Sequence, residues 1–257
     1  MKIAALYDIH GNLPALEAVL EEIHSLKVDL ILVGGDVFPG PMPVETIETL
    51  LQFKHRVRFI RGNGDREVLA QMAGVETDWY SKAPESWREP VRWTAQQLAP
   101  RHRALIAKWP ATRHLGVSTV DRVLFCHATP ASDTEIFTRH TSSSSLLESF
   151  DPAIVLGIPT VVCGHTHMPF DRMVADIRVL NAGSVGMPFG RRGADWLLLG
   201  PDVEFRHTDY DFDKAAERIR ATGYPQGAQF AARNVLNPPS EEEMLAAFQK
   251  MEVKGGA

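Results

Sequence analysis

Short apolar runs that each close on a side chain with a free lone pair recur along this chain, and they constrain its fold more than any other feature. KIAALYD (residues 2–8) ends on Asp8, VDLILVGGD (28–36) on Asp36 and RVRFIRGN (56–63) on Asn63. Runs this short and this apolar predict buried strands. Between them the period changes. Asn12 caps a predicted helix with Pro14 in its first turn and an apolar face of Leu16, Val19, Leu20 and Ile23. PVETIETLLQF and DREVLAQMA give two more helices. Strand–helix–strand repetition predicts a parallel sheet with right-handed crossovers.

Residues 78–110 break that rhythm and hold Trp79, Trp87, Trp93 and Trp109, four of the five tryptophans. They read as an inserted helical pair whose large aromatics must mostly bury. Packing between helices accounts for them; the sharper expectation is that one edge of the insert overhangs the ligand site and limits substrate size. Beyond it the chain turns strand-rich, through HLGVS, DRVLFCH, TVVCGH, IRVLNAGS, DWLLLG and VEFRHT. The serine run 142–145 leads into a short predicted helix, LLESF. A helical tail follows, with DKAAERIRA and SEEEMLAAFQKM, the latter opening on a Ser-x-x-Glu capping box at Ser240. There is no internal repeat.

With 27 basic and 32 acidic residues the net charge is −5, and no block of like charge stands out. A surface that coats nucleic acid is therefore not expected. An anionic substrate is still compatible, because a metal would supply positive charge locally. No apolar run approaches the roughly 18 residues of a membrane span, and MKIAALYDIHGN turns polar too early for a signal peptide. Cys126 and Cys163 each end an apolar run and read as buried free thiols in a reducing cytoplasm.

In an open α/β sheet the ligand site lies beyond the carboxyl ends of the strands. There the sequence delivers Asp8 and His10, then Asp36, Asn63 and His127, then His165 and His167. Each alone reads as a turn, a cap or a structural histidine, but that reading does not extend to seven together. Mixed nitrogen and oxygen donors suit Mn, Fe or Zn rather than Ca or Mg. Seven side chains are too many for one tetrahedral ion, whereas two divalent ions sharing a bridging carboxylate would use them all.

The ordered motifs DIH, GGD, GNGD, FCHATP and CGHTHMP resemble the calcineurin-like metallophosphoesterase superfamily, whose pattern is Asp-x-His, Gly-Asp, Gly-Asn, a lone His and Gly-His-x-His. DIHGN and NAGSVGMP are most similar to its small bacterial, phosphodiesterase-like branch, and the resemblance runs from residue 1 to about 210. It implies a four-layer α/β/β/α sandwich, two mixed sheets flanked by helices. The chain as a whole reads as one domain over 1–257, with the helical insert at 78–110 and a helical extension at 211–257. By position the resemblance implies Asp8, His10 and His167 on one ion, Asn63, His127 and His165 on the other, and Asp36 bridging. The implied catalyst is a metal-bridging hydroxide that attacks phosphorus.

Asn12 is a phosphate contact or the first helix cap, or both, while Arg191 and Arg192 are anion-steering or surface groups. Two positions depart from the family. Gly64 stands where many members have the histidine thought to protonate the leaving oxygen, and Pro39 stands where a second aspartate often follows Gly-Asp. His140 is the candidate stand-in acid. The expectation is a cytoplasmic metal-dependent phosphoesterase acting on a soluble phosphorylated or nucleotide substrate. Phosphodiesters and dinucleoside polyphosphates rank ahead of monophosphates, and no membrane is involved. The alternative is a non-catalytic metal-binding scaffold, as in the phosphoesterase-like component of retromer.

Overall fold

The structure, a computed structural model, describes residues 1–117 and 120–251. The end of the expected tail, 252–257, lies outside it. Among the described residues, ten strands form two five-stranded mixed sheets. The first contains β1 (Ile3–Leu6), β2 (Leu30–Gly34), β3 (Val57–Ile60), β9 (Ala194–Leu199) and β10 (Val203–Thr208), in the order β10-β9-β1-β2-β3. The second contains β4 (Thr112–Val117), β5 (Val120–Cys126), β6 (Thr160–Cys163), β7 (Phe170–Val174) and β8 (Ile177–Asn181), in the order β4-β5-β6-β8-β7. β1, β2 and β3 pair in parallel, as do β5, β6 and β8, while β9, β10, β4 and β7 enter antiparallel. This is the sandwich that the resemblance implies.

Alternation along β1 shows why the layers stack as they do. Ile3, Ala5 and Tyr7 point between the sheets, into a core shared with Phe125, Val162 and Leu197. Ala4 and Leu6 point the other way, onto α1 (Leu13–Ser25) and α2 (Pro43–Leu51), where Leu16, Val19 and Ile47 meet them. Successive strand side chains face opposite sides, so a strand that is apolar on both faces must be covered on both. On the outer face of the second sheet, α7 (Leu147–Val155) supplies Phe150 and Ala153 to a third core. Tyr7 stitches the sheets together, its hydroxyl donating to the main-chain oxygen of Val162 at 2.9 Å. Its ring occupies the space that a side chain at Gly34 would need, since a Cβ there would lie 2.1 Å from it.

The insert holds three helices rather than a pair: α4 (Asp78–Lys82), α5 (Glu85–Gln97) and α6 (Pro100–Ile106). Ala83 and Ala99, each preceding a proline, are extended, and a residue before proline disfavours the helical region. The expected burial of the tryptophans is corrected as well. Trp109 is buried and stacks on Phe59 with centroids 4.6 Å apart. Trp93 is half-buried, edge-on to Tyr224. Trp79 and Trp87, 37% and 59% exposed, stack on each other with centroids 6.3 Å apart. α3 (Asn63–Met72) packs against α5, and the tail adds α8 (Phe212–Arg220), α9 (Gly227–Phe230) with a π-helical continuation Ala231–Leu236, and α10 (Glu241–Phe248). No helix among the described residues is long and apolar enough to cross a membrane. Both cysteines are buried and free.

Candidate metal centre

The parallel strands of both sheets end at one edge of the sandwich, and the turns beyond them carry the candidate ligands. Those turns are tight. Asp8, His10, Asp36, His165 and His167 all have positive φ, between 47° and 66°. Left-handed backbone is uncommon outside glycine and is best tolerated by Asp, Asn and His, which suits the residue types found here. Neighbouring glycines make the room. A Cβ on Gly62 would stand 2.2 Å from Asp36 Oδ1, and one on Gly164 would stand 2.5 Å from Asp8 Oδ2. The motif glycines are therefore spaces that carboxylates fill.

Asp8, His10 and His167 form one group whose donor atoms converge, and Asp8, Asp36 and His127 form a second. Asp8 Oδ1 lies 3.4 Å from His167 Nε2 and 3.8 Å from His127 Nε2. Asp36 lies 3.5 Å from His127 Nε2 through Oδ1 and 3.9 Å from His10 Nε2 through Oδ2. Both carboxylates therefore span the two groups, where the family pattern assigns bridging to Asp36 alone. Nε2 of His10 and Nε2 of His167 face each other at 3.4 Å. Three of the imidazoles are aimed by their other nitrogen. Nδ1 of His10, His127 and His167 donates to the carbonyls of Pro39, Gly34 and Met187, at 3.3, 3.0 and 2.9 Å. A carbonyl only accepts, so each Nδ1 carries the hydrogen and each Nε2 turns inward.

Two atoms test whether a cation fits this arrangement. Asp8 Oδ1 is buried and has no hydrogen-bond partner, although buried polar atoms are generally paired. The inward atom of the Asn63 amide lies 3.1 Å from His127 Nε2, His165 Nδ1 and the main-chain oxygen of Asp133 alike. With its oxygen inward, Asn63 sets lone pairs against the Asp133 carbonyl and accepts only from an imidazole nitrogen that carries a hydrogen; with its nitrogen inward, two hydrogens are shared among three acceptors. An inward amide oxygen needs a positive partner in that space, either a protonated His127 or a cation, and the mixed nitrogen and oxygen donor set fits a divalent ion.

Charge in the cluster points the same way. Burial opposes a charge on His127, yet Asp36 and Asp8 outweigh it and hold the imidazole at about 10. Burial alone would raise Asp36, but His127, His10 and His165 pull it well below the carboxylate range. Burial and then the charge of His127 drop His165 to about 4. The two carboxylates thus favour a positive charge between them, which a protonated imidazole or a cation supplies.

Two supports were not anticipated from the sequence. Asp65, fully buried, accepts from the main-chain N–H groups of Asp36, Gly62 and Phe38 at 2.9, 3.0 and 3.1 Å, tying the second strand's turn to the third's. Its signal was present: an acidic side chain three residues after the position that precedes a helix. The NAGSVGMP segment is a strap. Val185 and Gly186 donate to the main-chain oxygens of Tyr7 and Asp8, and Ser184 Oγ also donates to Asp8. Asn181 Nδ2 holds the carbonyl of Gly164 at 2.7 Å. A Cβ on Gly186 would sit 1.9 Å from the oxygen of Ile9. Gly186→Ala should therefore cost about 1–3 kcal/mol as an overpacked contact, seen as a lowered urea midpoint. An unchanged midpoint would show that the strap yields freely.

The remaining candidates are placed differently. Asn12 is fully buried; its Oδ1 accepts from Ala15 N–H and its Nδ2 donates to Gly186 O and Tyr210 Oη. It caps α1 and holds the strap, which leaves no group for a phosphate. Arg191 is exposed and pairs with Asp195 at 2.9 Å, and Arg192 lies over the Phe212 ring. Both are engaged with their own neighbourhood. His140 is exposed on a loop, held through its main-chain N–H to Thr138 Oγ1, and among the described residues no contact joins its ring to the cluster. At Gly64 a Cβ would meet the carbonyl oxygen of Phe38 at 2.3 Å, so the space that a larger residue would need belongs to the Phe38–Pro39 segment.

A family model described as the calcineurin-like phosphoesterase superfamily domain matches residues 1–200. Phosphodiesterase YfcE of Escherichia coli is 26% identical over 212 residues, covering 79% of this chain and 89% of the relative. Among solved structures, hypothetical protein PH1004 from Pyrococcus horikoshii superposes with a TM-score of 0.75 at 22% identity, covering 93% of this chain and 99% of the other. A metallophosphoesterase from Sphaerobacter thermophilus superposes with a TM-score of 0.69 at 24% identity, covering 91% and 99%.

Proposed function

The chain belongs to the calcineurin-like phosphoesterase superfamily, and from that membership we propose that it hydrolyses phosphodiesters or phosphoanhydrides at a centre of two divalent ions. The observation that carries this reading is the convergence of carboxylate and imidazole donor atoms in two groups that share Asp8, whose Oδ1 is buried without a hydrogen-bond partner. Asp8, His10 and His167 would hold one ion, Asn63, His127 and His165 the other, with Asp36 between them. Two such ions supply Lewis acidity and a nucleophile at neutral pH. The chain's own residues provide the rest. The carbonyls of Pro39, Gly34 and Met187 fix three imidazoles, Asp65 fixes the Asp36 turn, and the strap fixes Asp8. The substrate class is a soluble phosphorylated compound, with nucleotide polyphosphates foremost, in a compartment that keeps Cys126 and Cys163 reduced.

Elemental analysis of protein purified without chelator, paired with turnover of a nitrophenyl phosphodiester, tests the proposal. Two equivalents of Mn, Fe or Zn with turnover support it. Bound ions without turnover would favour the scaffold alternative, which draws its own support from the glycine at position 64.

Ion uptake should also release a proton. His127, held at about 10, is protonated at neutral pH when no ion is bound, and a ligand nitrogen must be neutral. His10 and His165 are lowered by burial and contribute none. Apparent affinity should therefore rise with pH up to that value, with about one proton released per ion entering beside His127. Calorimetry at pH 7 in two buffers of different ionisation enthalpy measures it, and identical heats in both would contradict the assignment of His127.

A further inference from the structure

The ligands proposed for the second ion come from different sheets. Asn63 is the first residue of α3, which follows β3 in the first sheet; His127 and His165 follow β5 and β6 in the second. No ladder of strand hydrogen bonds sets the distance between them. Beside that seam, Arg66 on the first turn of α3 forks onto Asp133 in the loop after β5. Its Nε donates at 2.8 Å and its Nη2 at 3.2 Å, one to each carboxylate oxygen. The main-chain oxygen of the same Asp133 is one of the three atoms around the Asn63 amide.

The fork is itself anchored. Arg66 Nη1 donates to Glu67 Oε1 at 2.5 Å, and Glu67 is only 2% exposed. The other oxygen of Glu67 accepts from Thr77 Oγ1 at 2.5 Å, and Thr77 caps α4, the first helix of the insert. A guanidinium–carboxylate fork is planar and two-pronged, so it fixes an angle as well as a distance. A buried carboxylate such as Glu67 keeps its place only while its cation stays.

We propose that the Arg66–Asp133 fork is a positioning device that holds the Asn63 amide against His127 and His165 across the seam between the sheets, with the helical insert as its anchor through Thr77 and Glu67. The inference rests on the two-ion reading above. It gives the insert a part in the site other than overhanging it.

The test is a calorimetric titration of chelator-stripped protein with Mn²⁺, comparing wild type with Arg66→Ala, Arg66→Lys and Thr77→Val. Wild type should take up two ions in two steps. Arg66→Ala should weaken the second step by about 10–100-fold, the usual effect of losing an outer-shell partner, and leave the first unchanged. The sign is diagnostic. Removing a cation from the neighbourhood would by charge alone strengthen the binding of another cation. Arg66→Lys keeps the charge and loses the fork, so it should weaken the second step to an intermediate degree and decides the question if the alanine variant does not fold. Thr77→Val should shift the same step in the same direction by less. A second step that is unchanged or strengthened, or both steps weakened alike, would overturn the inference while the two-ion reading stands. Uptake of only one equivalent by wild type would overturn both.

Discussion

Asp36→Ala should cost more activity than His127→Ala, by about 10³-fold in kcat/KM for the aspartate, since a metal clamp supplies several kcal/mol and each 1.36 kcal/mol is about tenfold in rate. The reason is position. Asp36 reaches towards His127 with one oxygen and towards His10 with the other, at 3.5 and 3.9 Å, so its loss loosens both groups. It also accepts the Gly64 N–H at 2.7 Å, which would be stranded beside the site. His127→Ala removes one nitrogen from a group that keeps Asp8, Asp36, Asn63 and His165. Turnover of a nitrophenyl phosphodiester at saturating Mn²⁺ makes the comparison. A larger loss in the histidine variant would remove Asp36 from its place between the ions. Asp8, whose Oδ1 also lies between two imidazoles, should then carry that part.

The second large effect concerns the leaving group. With glycine at position 64 and no ring from His140 in contact with the cluster, the departing oxygen has no evident proton donor. General acid assistance is worth about 10²–10⁴-fold, and most when the leaving group is a strong base. Nitrophenyl diesters and dinucleoside polyphosphates should therefore turn over faster than a dialkyl phosphodiester by a factor in that range, under one metal and one pH. Restoring the family's histidine should not help. A Cβ at Gly64 would meet Phe38 O at 2.3 Å and Asp36 Oδ1 at 3.1 Å, so Gly64→His should lose activity by displacing the Asp36 turn. Comparable turnover of the alkyl diester would reveal an unrecognised acid, and the effect of His140→Ala would show whether that residue is the donor.

Features set by local chemistry were readable in the sequence. An apolar run ending in Asp8 or Asp36 needs only its own composition to announce a buried strand with a polar mouth. The caps at Asn12 and Ser240 follow from the side chain of one residue, and both form as expected. What escaped depends on partners distant in sequence. β7, FDRMV, carries Asp171 and Arg172 in a five-residue edge strand and becomes recognisable only by its antiparallel pairing with β8. α9 and its π-helical continuation have no cap or acidic first turn and are held by packing on α8. Asn63 was placed at a strand end, but Asp65 closes back onto Gly62 N–H and starts α3 two residues earlier. The exposure of Trp79 and Trp87 could not be read either, because it depends on which elements pack against the insert.

The left-handed backbone at five candidate ligands has a consequence for how this protein could change over time. Strained conformations of this kind cost roughly 1–3 kcal/mol each, towards the low end for Asp and His, and the cost is met in every folded molecule whether or not an ion is bound. Replacing such a residue with glycine would relieve that strain as it removes the ligand. Drift away from catalysis is therefore thermodynamically downhill for the fold, in line with the usual opposition between stability and activity. A lineage that stopped needing the chemistry would gain robustness by losing it, and the shape of the sandwich would outlast its original purpose.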